Sequence, residues 1–249
     1  MVRGISETVA DEPLPTVDVD GGDLPSRGPQ LESISISDDP RAWAVAGFGV
    51  EQDPVVHIGN TTLRFSAGDG GFRGWGFDGL SPRDVPELPT GITLMDPRSA
   101  GPFAGGTSPA VGTKQPNGII SIDHIVLRTN DCLAVTAQLS ESGFHPRRTR
   151  RTSIGDMPAL QTFFWAGDVI IELVGPPDPP KPEPERATLA TATIFGLALA
   201  SADLTQTSNY LGDLLGTPRP AVQEGRQVAT LRGRDVGISV PVLIMSPHV

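Results

Sequence analysis

The chain contains two short apolar stretches that decide its fold, Ile122-Asp-His-Ile-Val-Leu127 and Val169-Ile-Ile-Glu-Leu-Val174. Each carries one side chain that can bind a metal ion, His124 in the first and Glu172 in the second. Alternate residues of a β-strand face the same side, so His124 is expected to share a face with Arg128. A buried carboxylate needs a partner, either an imidazole on a neighbouring strand or a cation held by both groups. The two stretches therefore predict a site formed between two strands.

The overall composition indicates an acidic protein with enough apolar residues for a core. The 249 residues carry a formal net charge of −10, and 38% of them are hydrophobic. This charge argues against binding to nucleic acid. No apolar stretch reaches membrane-spanning length, and the N-terminus lacks the pattern of a signal peptide, so we predict a cytoplasmic protein. A small molecule is the expected substrate or ligand. The basic cluster Arg147-Arg-Thr-Arg-Arg151 is the exception; it predicts an exposed strand or loop, with anion binding as the alternative.

Segments rich in proline and glycine divide the chain. Residues 1–30 are acidic and show little periodicity, which predicts a disordered tail. Residues 81–118 and 177–191 are predicted linkers, because proline disrupts helices and central strands. Three segments remain between them, residues 31–80, 119–176 and 192–249.

The middle segment has the order of a β-α-β-β-β module. A strand around His124 comes first, and Asn130 or Asp131 can cap a helix that ends at Gly143. Three strands follow, at about 145–152, 160–166 and 168–174, and a short turn joins the last two as a hairpin.

The other two segments repeat this order, the N-terminal one less completely. In the C-terminal segment a strand over 193–201 precedes a helix capped by Asp203 and ending at Gly216. Its later strands are predicted near 221–222, 227–232 and 237–245, and Pro241 implies an edge position or a bulge in the last one. The N-terminal segment has candidate strands at 31–37, 55–58, 61–66 and 72–77 and a short helix at 41–46. The sequence therefore predicts an α+β protein built from repeated β-α-β-β-β modules.

A β-α-β-β-β module with histidine on its first strand and glutamate on its last resembles the vicinal oxygen chelate superfamily. This superfamily includes glyoxalase I, extradiol dioxygenases, methylmalonyl-CoA epimerase and the bleomycin and fosfomycin resistance proteins. The resemblance is closest over residues 120–247, where the chain is similar to glyoxalase-like proteins of actinobacteria. Four stretches carry it, Ile122-Asp-His-Ile-Val-Leu-Arg-Thr-Asn-Asp131, Gln161-Thr-Phe-Phe-Trp165, Val169-Ile-Ile-Glu-Leu-Val-Gly175 and Ala221-Val-Gln-Glu-Gly-Arg226.

The resemblance implies that two modules pair and form an open, cup-shaped mixed β-sheet around one divalent cation, such as Zn²⁺, Mn²⁺, Ni²⁺, Fe²⁺ or Co²⁺. Of the ligands that it implies, only His124 and Glu172 carry over to this chain. The matching positions of the C-terminal module are Gly196 and Leu243, and the histidine position of the N-terminal module falls near Ser33. The N-terminal copy is expected either to pack beside the cup or to pair with a second chain in a homodimer.

His124 and Glu172 are the predicted metal ligands and catalytic residues. The alternative is a core histidine that hydrogen-bonds to a carbonyl or to Glu172, and a glutamate that forms an ion pair with Arg128 or with an arginine of the basic cluster. Gln161 is a further candidate ligand, and His57 is the one other histidine retained as a candidate.

Four side chains are predicted to contact the substrate, namely Gln161, Phe163, Arg128 and Arg226. Arg226 could clamp a carboxylate or phosphate through two parallel hydrogen bonds, and pairing with an acidic neighbour is the alternative.

Two functions from different classes fit these residues. The first is a metal-dependent lyase, isomerase or dioxygenase that acts on a small carbonyl or aromatic substrate, with Glu172 as base. The second is a metal-free protein that binds and sequesters an apolar or aromatic small molecule, as the resistance proteins do. Retention of the His124–Glu172 pair favours the first, and loss of both ligand positions in the C-terminal module favours the second. A structural or dimerisation module is the third alternative.

Overall fold

The protein is described by a computed structural model that covers residues 27–51, 54–80, 93–95, 115–178 and 190–247. The strands are β1 (Leu31–Ile36), β2 (Val55–Ile58), β3 (Thr61–Phe65), β4 (Phe72–Phe77), β5 (Thr93–Leu94), β6 (Ile119–Thr129), β7 (Pro146–Ile154), β8 (Met157–Ala166), β9 (Val169–Gly175), β10 (Ala192–Ser201), β11 (Arg219–Pro220), β12 (Gln227–Thr230) and β13 (Val242–Met245). The helices are α1 (Pro40–Val45), α2 (Cys132–Glu141) and α3 (Leu204–Leu211). Within these ranges, no helix has the length and apolar character needed to cross a membrane.

Eight strands form one open sheet, in the order β11-β12-β13-β10-β6-β9-β8-β7. The middle module supplies β6 to β9, and the C-terminal module supplies β10 to β13. The first strand of each module is parallel to the last strand of the same module, and the two first strands, β6 and β10, pair antiparallel at the centre of the sheet. The modules therefore meet edge to edge in an open mixed sheet, which confirms the predicted fold class.

Aspartate caps start the helix of each module in this sheet. The Asp131 side chain accepts a hydrogen bond from Ala134 N at 3.0 Å, and the Asp203 side chain accepts from Thr205 N at 2.9 Å. These bonds satisfy backbone donors that have no partner within the first turn. The predicted cap at Asp203 is confirmed, and of the two candidates in the middle module the cap is Asp131.

Two details of the C-terminal module differ from the prediction. Helix α3 ends at Leu211 rather than at Gly216, because a 3-10 turn over Gly212–Leu214 follows it. Strand β13 begins after Pro241 and lies between β12 and β10, so Pro241 does not mark an edge strand. Proline has no N–H to donate, but the Pro241 carbonyl accepts a hydrogen bond from Leu197 N at 3.0 Å, directly before the β10–β13 pairing begins.

The N-terminal segment differs from the third β-α-β-β-β copy expected for it. Its sheet has the order β2-β3-β1-β4-β5. Strand β4, predicted as the last strand of that copy, instead pairs antiparallel with β1, while β3 is the strand parallel to β1. The run β8-β9-β6-β10-β13 shows the same succession of antiparallel and parallel neighbours. The N-terminal sheet therefore repeats the centre of the large sheet, with β4 as the counterpart of β10.

Polar contacts and a shared core join the two sheets. The buried carboxylate of Asp38 accepts hydrogen bonds from Trp43 Nε1 at 3.0 Å and from Ser239 N at 3.2 Å. Ser239 Oγ in turn accepts one from Gly71 N at 2.6 Å. One cluster of buried apolar residues extends through both sheets and includes Leu63 and Ile125. The N-terminal sheet therefore packs against the large sheet of the same chain.

Much of the predicted tail and linkers lies outside the described residues. Only residues 27–30 of the tail are described, with 93–95 and 115–118 of the first linker and 177–178 and 190–191 of the second. The domain limits drawn from the sequence stay predictions.

Candidate functional site

A β-bulge in β6 places two successive polar side chains on one face of the large sheet. His124 pairs with Ala198 and Ile122 pairs with Leu199, so Asp123 is the extra residue of the bulge. Ile122 and Ile125 are both buried in the core, as expected when the alternation of side chains shifts between them. Asp123 and His124 consequently lie on the opposite face, which we call the site face.

The structure brings His124 and Glu172 together on this face. Their strands, β6 and β9, are parallel neighbours, and Glu172 pairs with Val126, two residues from His124. His124 Nε2 lies 3.6 Å from Glu172 Oε2, and the two side chains are only 15% and 16% exposed. The predicted convergence of these two side chains is therefore present, and both are mostly shielded from solvent.

A buried ion pair supports His124 from below. Asp123 Oδ2 lies 2.8 Å from His124 Nδ1, and Asp123 Oδ1 accepts from Arg226 Nη2 at 2.7 Å. Burial raises the pKa of the Asp123 carboxyl, but the hydrogen bonds and positive charges of His124 and Arg226 outweigh this effect and bring the pKa from 3.8 to about 2. Asp123 is therefore ionised at neutral pH and fixes the orientation of the imidazole.

Arg226 supports Asp123 and does not clamp a substrate. Its side chain is 3% exposed, and its guanidinium also donates to Ser246 O at 3.0 Å and 2.8 Å and to the side chain of Gln223. The expectation of a substrate clamp is corrected here, because these donors are directed at protein acceptors. Pairing with an acidic residue, the alternative drawn from the sequence, is what the structure shows, and the partner is Asp123.

The ion pair makes stability depend on pH in the acid range. Because the Asp123 pKa is lowered from 3.8 to about 2 on folding, its contribution is fully present above pH 4 and disappears as the pH falls to 2. We expect the stability advantage of the wild type over Asp123→Asn to shrink by about 2 kcal/mol between pH 5 and pH 2. Urea unfolding at a series of pH values measures this. The exposed Asp156 provides the control, since Asp156→Asn should keep the wild-type pH dependence; an Asp123→Asn curve parallel to the wild type would contradict the prediction.

Glu172 is held from its other side by an amide. Gln161 Nε2 donates to Glu172 Oε1 at 2.5 Å, and Gln161 Oε1 accepts from Arg150 Nε at 2.6 Å. The amide oxygen of Gln161, the atom that would bind a metal, is therefore directed at a guanidinium. One oxygen of Glu172 is fixed by this contact, and the other faces His124.

The C-terminal module contributes an apolar half to the site face. In the C-terminal module Leu243 pairs with Ala198, two residues after Gly196. In the middle module Glu172 pairs with Val126, two residues after His124, and Val126 in turn pairs with Gly196. This register agrees with the alignment that matches Gly196 to His124 and Leu243 to Glu172. A small apolar cluster of Ala198, Val228 and Met245, with Ala221 and Leu243 packed against it, lies here.

The side chains of the site do not fit a resident divalent cation. His124 and Glu172 could supply two ligands, whereas retained metal centres use three or four protein ligands. Gly196 and Leu243 have no donor atoms, and Asp123 is engaged by Arg226 and His124. No group of three or more His, Cys, Asp or Glu side chains suited to a metal ion occurs in the described part of the chain.

The remaining candidates lie in different places. Arg128 is on the site face, with its guanidinium 3.5 Å from the centre of the Phe195 ring. Phe163 is on the same face, beneath the guanidinium of Arg150 at 5.5 Å. His57 lies on the N-terminal sheet, where Nδ1 contacts Thr62 Oγ1 at 3.0 Å, and it does not join His124.

Sequence reasoning missed Asp123 and Arg150. Two polar residues in succession, as in Asp123-His124, cannot both avoid the core in a regular strand, and this pattern is a signal for a bulge. Arg150 lies within the basic cluster, where no feature of the sequence separates it from the three neighbouring arginines.

Comparisons with known proteins find the same fold among solved structures. No family model matches the sequence, and no curated protein shows a sequence match. A triple mutant of 4-hydroxymandelate synthase from Streptomyces coelicolor aligns with a TM-score of 0.56 at 11% sequence identity, over 88% of this chain and 92% of that chain. The chain has the vicinal oxygen chelate fold.

Two further solved structures align with this chain at lower TM-scores. Methylmalonyl-CoA epimerase from Mycobacterium tuberculosis covers 53% of this chain and 91% of its own, with 14% identity and a TM-score of 0.39. A fusion of a xylose isomerase-like TIM barrel with 4-hydroxyphenylpyruvate dioxygenase covers 94% of this chain at 9% identity and a TM-score of 0.49, and this chain spans 51% of its length. In this chain, the middle module supplies most of the polar side chains of the site.

Proposed function

We propose that the site face binds a small carbonyl compound and catalyses transfer of a proton from the carbon next to its carbonyl group, as an isomerase or lyase does. The reaction would use no resident metal ion. The observation that carries this proposal is the chain of contacts from Arg226 through Asp123 and His124 to Glu172. Such a chain fixes the orientation of an acid–base pair that is mostly shielded from solvent, and general acid–base catalysis requires oriented groups.

His124 has the orientation of a proton acceptor. When the imidazole is neutral and carries its proton on Nδ1, that proton is donated to the ionised Asp123. The lone pair of Nε2 is then directed towards Glu172 and the site face. Asp123 would also stabilise the imidazolium that forms when Nε2 accepts a proton.

Glu172 is the base that would remove the proton from carbon. Gln161 holds Oε1, so that Oε2 points towards His124 Nε2 at 3.6 Å, which is too long for a good direct hydrogen bond. In this proposal the C–H proton passes to Oε2 while the bonding electrons move into the adjacent carbonyl. The proton then passes to His124 Nε2 and returns to the same molecule at the same or a neighbouring atom, so that the net change is an isomerisation.

Hydrogen exchange in D₂O tests the proposal. Protein treated with a chelator is incubated with a panel of small carbonyl compounds, and loss of the C–H signal next to the carbonyl is followed by proton NMR. We expect at least one compound to exchange, and Glu172→Gln to slow that exchange by about a hundredfold. The matched control is Glu141→Gln at the exposed end of α2, which should leave the rate unchanged. Exchange that is equally fast in Glu172→Gln would contradict the proposal.

Binding without chemistry is the second candidate function. The apolar half of the site face, with Ala198, Leu243 and Met245, favours it, because it offers an apolar ligand surface without a reactive group. A panel compound that binds, yet exchanges no faster than in buffer, would replace the first proposal with this one.

A further inference from the structure

Strand β7 lies at an edge of the large sheet and has a charge opposite to that of the whole protein. Among the described strands, its one neighbour is β8. It carries four arginines and no acidic residue, in a chain with a net charge of −10. Within the described ranges, none of these four arginines forms an ion pair. The outward backbone N–H and C=O groups of an edge strand can pair with a further strand, and the positive charge favours one that carries carboxylates.

The register with β8 shows which arginines share a face. Arg148 pairs with Phe163 and Arg150 pairs with Gln161, so both arginines lie on the site face, two residues apart. Arg151 lies on the opposite face. Arg150 uses Nε to donate to Gln161 Oε1, and its terminal nitrogens are further donors of the same guanidinium. The site face of β7 therefore presents two guanidinium groups at the spacing of alternate strand residues.

The N-terminal part of the chain enters the described structure beside the start of β7. Arg27 O accepts a hydrogen bond from Gly167 N at 2.9 Å, at the end of β8. The guanidinium of Arg27 lies 5.6 Å from the centre of the Trp165 ring, and that of Arg147, in the first turn of β7, lies 4.5 Å from the same centre. An extended residue spans about 3.3 Å, so the residues just before Arg27 can reach the outer edge of β7.

These preceding residues have the complementary charge. Residues 7–23 carry six carboxylates and no lysine or arginine. Within them, Thr16-Val-Asp-Val-Asp20 alternates polar and β-branched apolar residues, the pattern of a strand with one acidic face. Its two aspartates are two residues apart, as Arg148 and Arg150 are. Residues 16–20 lie outside the described residues, and their position is what we infer below.

We infer that residues 16–20 add to the large sheet as a strand antiparallel to β7, with Asp18 opposite Arg150 and Asp20 opposite Arg148. The direction follows because this part of the chain runs towards Arg27, which lies at the start of β7. Each ion pair is weak at an exposed edge, but the segment is tethered to the same chain, which raises its effective concentration. The inference is independent of the proposed function, since neither His124 nor Glu172 takes part.

Hydrogen–deuterium exchange in the full chain tests the added strand. The β7 amides that point away from β8 are protected when a further strand accepts their hydrogen bonds. We expect Asp18→Asn/Asp20→Asn to speed the exchange of these amides by about tenfold. The matched control is Asp11→Asn/Glu12→Gln, which removes the same charge outside residues 16–20 and should leave the rate unchanged. Equal exchange in the wild type and in Asp18→Asn/Asp20→Asn, or the same increase in the control, would overturn the inference.

A disulfide tests the register and separates the chain's own segment from that of a second copy. In the inferred register Val19 lies opposite the exposed Thr149, and neither residue is one of the paired charges. Val19→Cys/Thr149→Cys should therefore oxidise to a cross-linked monomer on non-reducing electrophoresis, whereas the control Val9→Cys/Thr149→Cys should not. The native Cys132 does not compete, because burial raises the pKa of its thiol to about 11. No cross-link, cross-links only between two copies, or equal cross-linking in the control would contradict the inferred strand.

Discussion

Replacing Arg226 with methionine is expected to lower the free energy of unfolding by about 3–5 kcal/mol. The guanidinium and the Asp123 carboxylate are both 3% exposed, with a 2.7 Å contact between them. Removal of the cation leaves the buried Asp123 carboxylate without its positively charged partner, and burial then disfavours its charge. Methionine has a similar length and fills much of the volume, so most of the effect comes from the charge rather than from a cavity.

A control and a double variant isolate this effect. Arg219→Met replaces an exposed arginine of the adjacent strand β11 and should change stability by less than about 0.5 kcal/mol. Combining Arg226→Met with Asp123→Asn removes both charges, and the double variant should be more stable than Arg226→Met alone. Chemical denaturation at pH 7 measures all four proteins. A loss below about 1 kcal/mol in Arg226→Met would show that the pair does not behave as a buried one.

The elements that repeat were the ones that the sequence could predict. The caps at Asp131 and Asp203 start equivalent helices. His124 precedes Asp131 by the same number of residues as Gly196 precedes Asp203, so His124 and Gly196 occupy matching positions of the two modules. The same repetition matches Leu243 to Glu172, and the observed register agrees. Because both modules have the β-α-β-β-β order, the elements predicted in one module support those predicted in the other. The pairing of the strands that carry His124 and Glu172 follows from this order within the middle module alone.

The features that were not predicted depend on contacts between distant parts of the chain. Asp123 reaches the site face because one residue is inserted opposite β10, which strict alternation does not anticipate. Arg226 meets Asp123 across 103 positions of sequence, and no local signal links the two. Strand β4 pairs with β1 in the way that β10, the first strand of the next module, pairs with β6. The apolar pattern of residues 72–77 would be the same if β4 were the last strand of its own module, so the sequence does not distinguish the two arrangements.

Introducing histidine at Gly196 is expected to destabilise the protein by about 3 kcal/mol and not to create a metal site. Histidine at this position is what the vicinal oxygen chelate pattern would require of the C-terminal module. A β-carbon at Gly196 would lie 2.9 Å from the carbonyl oxygen and 3.2 Å from Cβ of Pro241. The hydrogen bond from Leu197 N to that carbonyl holds Pro241 in place, so the imidazole can be accommodated only if the start of β13 moves.

The control for this substitution is the neighbouring residue. Phe195 is the extra residue of a bulge, is 39% exposed, and should accept histidine with a change of less than about 1 kcal/mol. Thermal unfolding measures stability, and elemental analysis after dialysis against zinc measures metal content. We expect less than about a tenth of an equivalent of zinc in the wild type, because two ligands do not retain the ion. The same low content is expected in Gly196→His, because Pro241 leaves no room for the new imidazole beside His124 and Glu172. One equivalent of zinc in a stable Gly196→His protein would show that this position can still supply a ligand. Stoichiometric zinc in the wild type, lost in His124→Ala, would show that the present side chains form a metal centre after all, and Glu172 would then be its ligand rather than a free base.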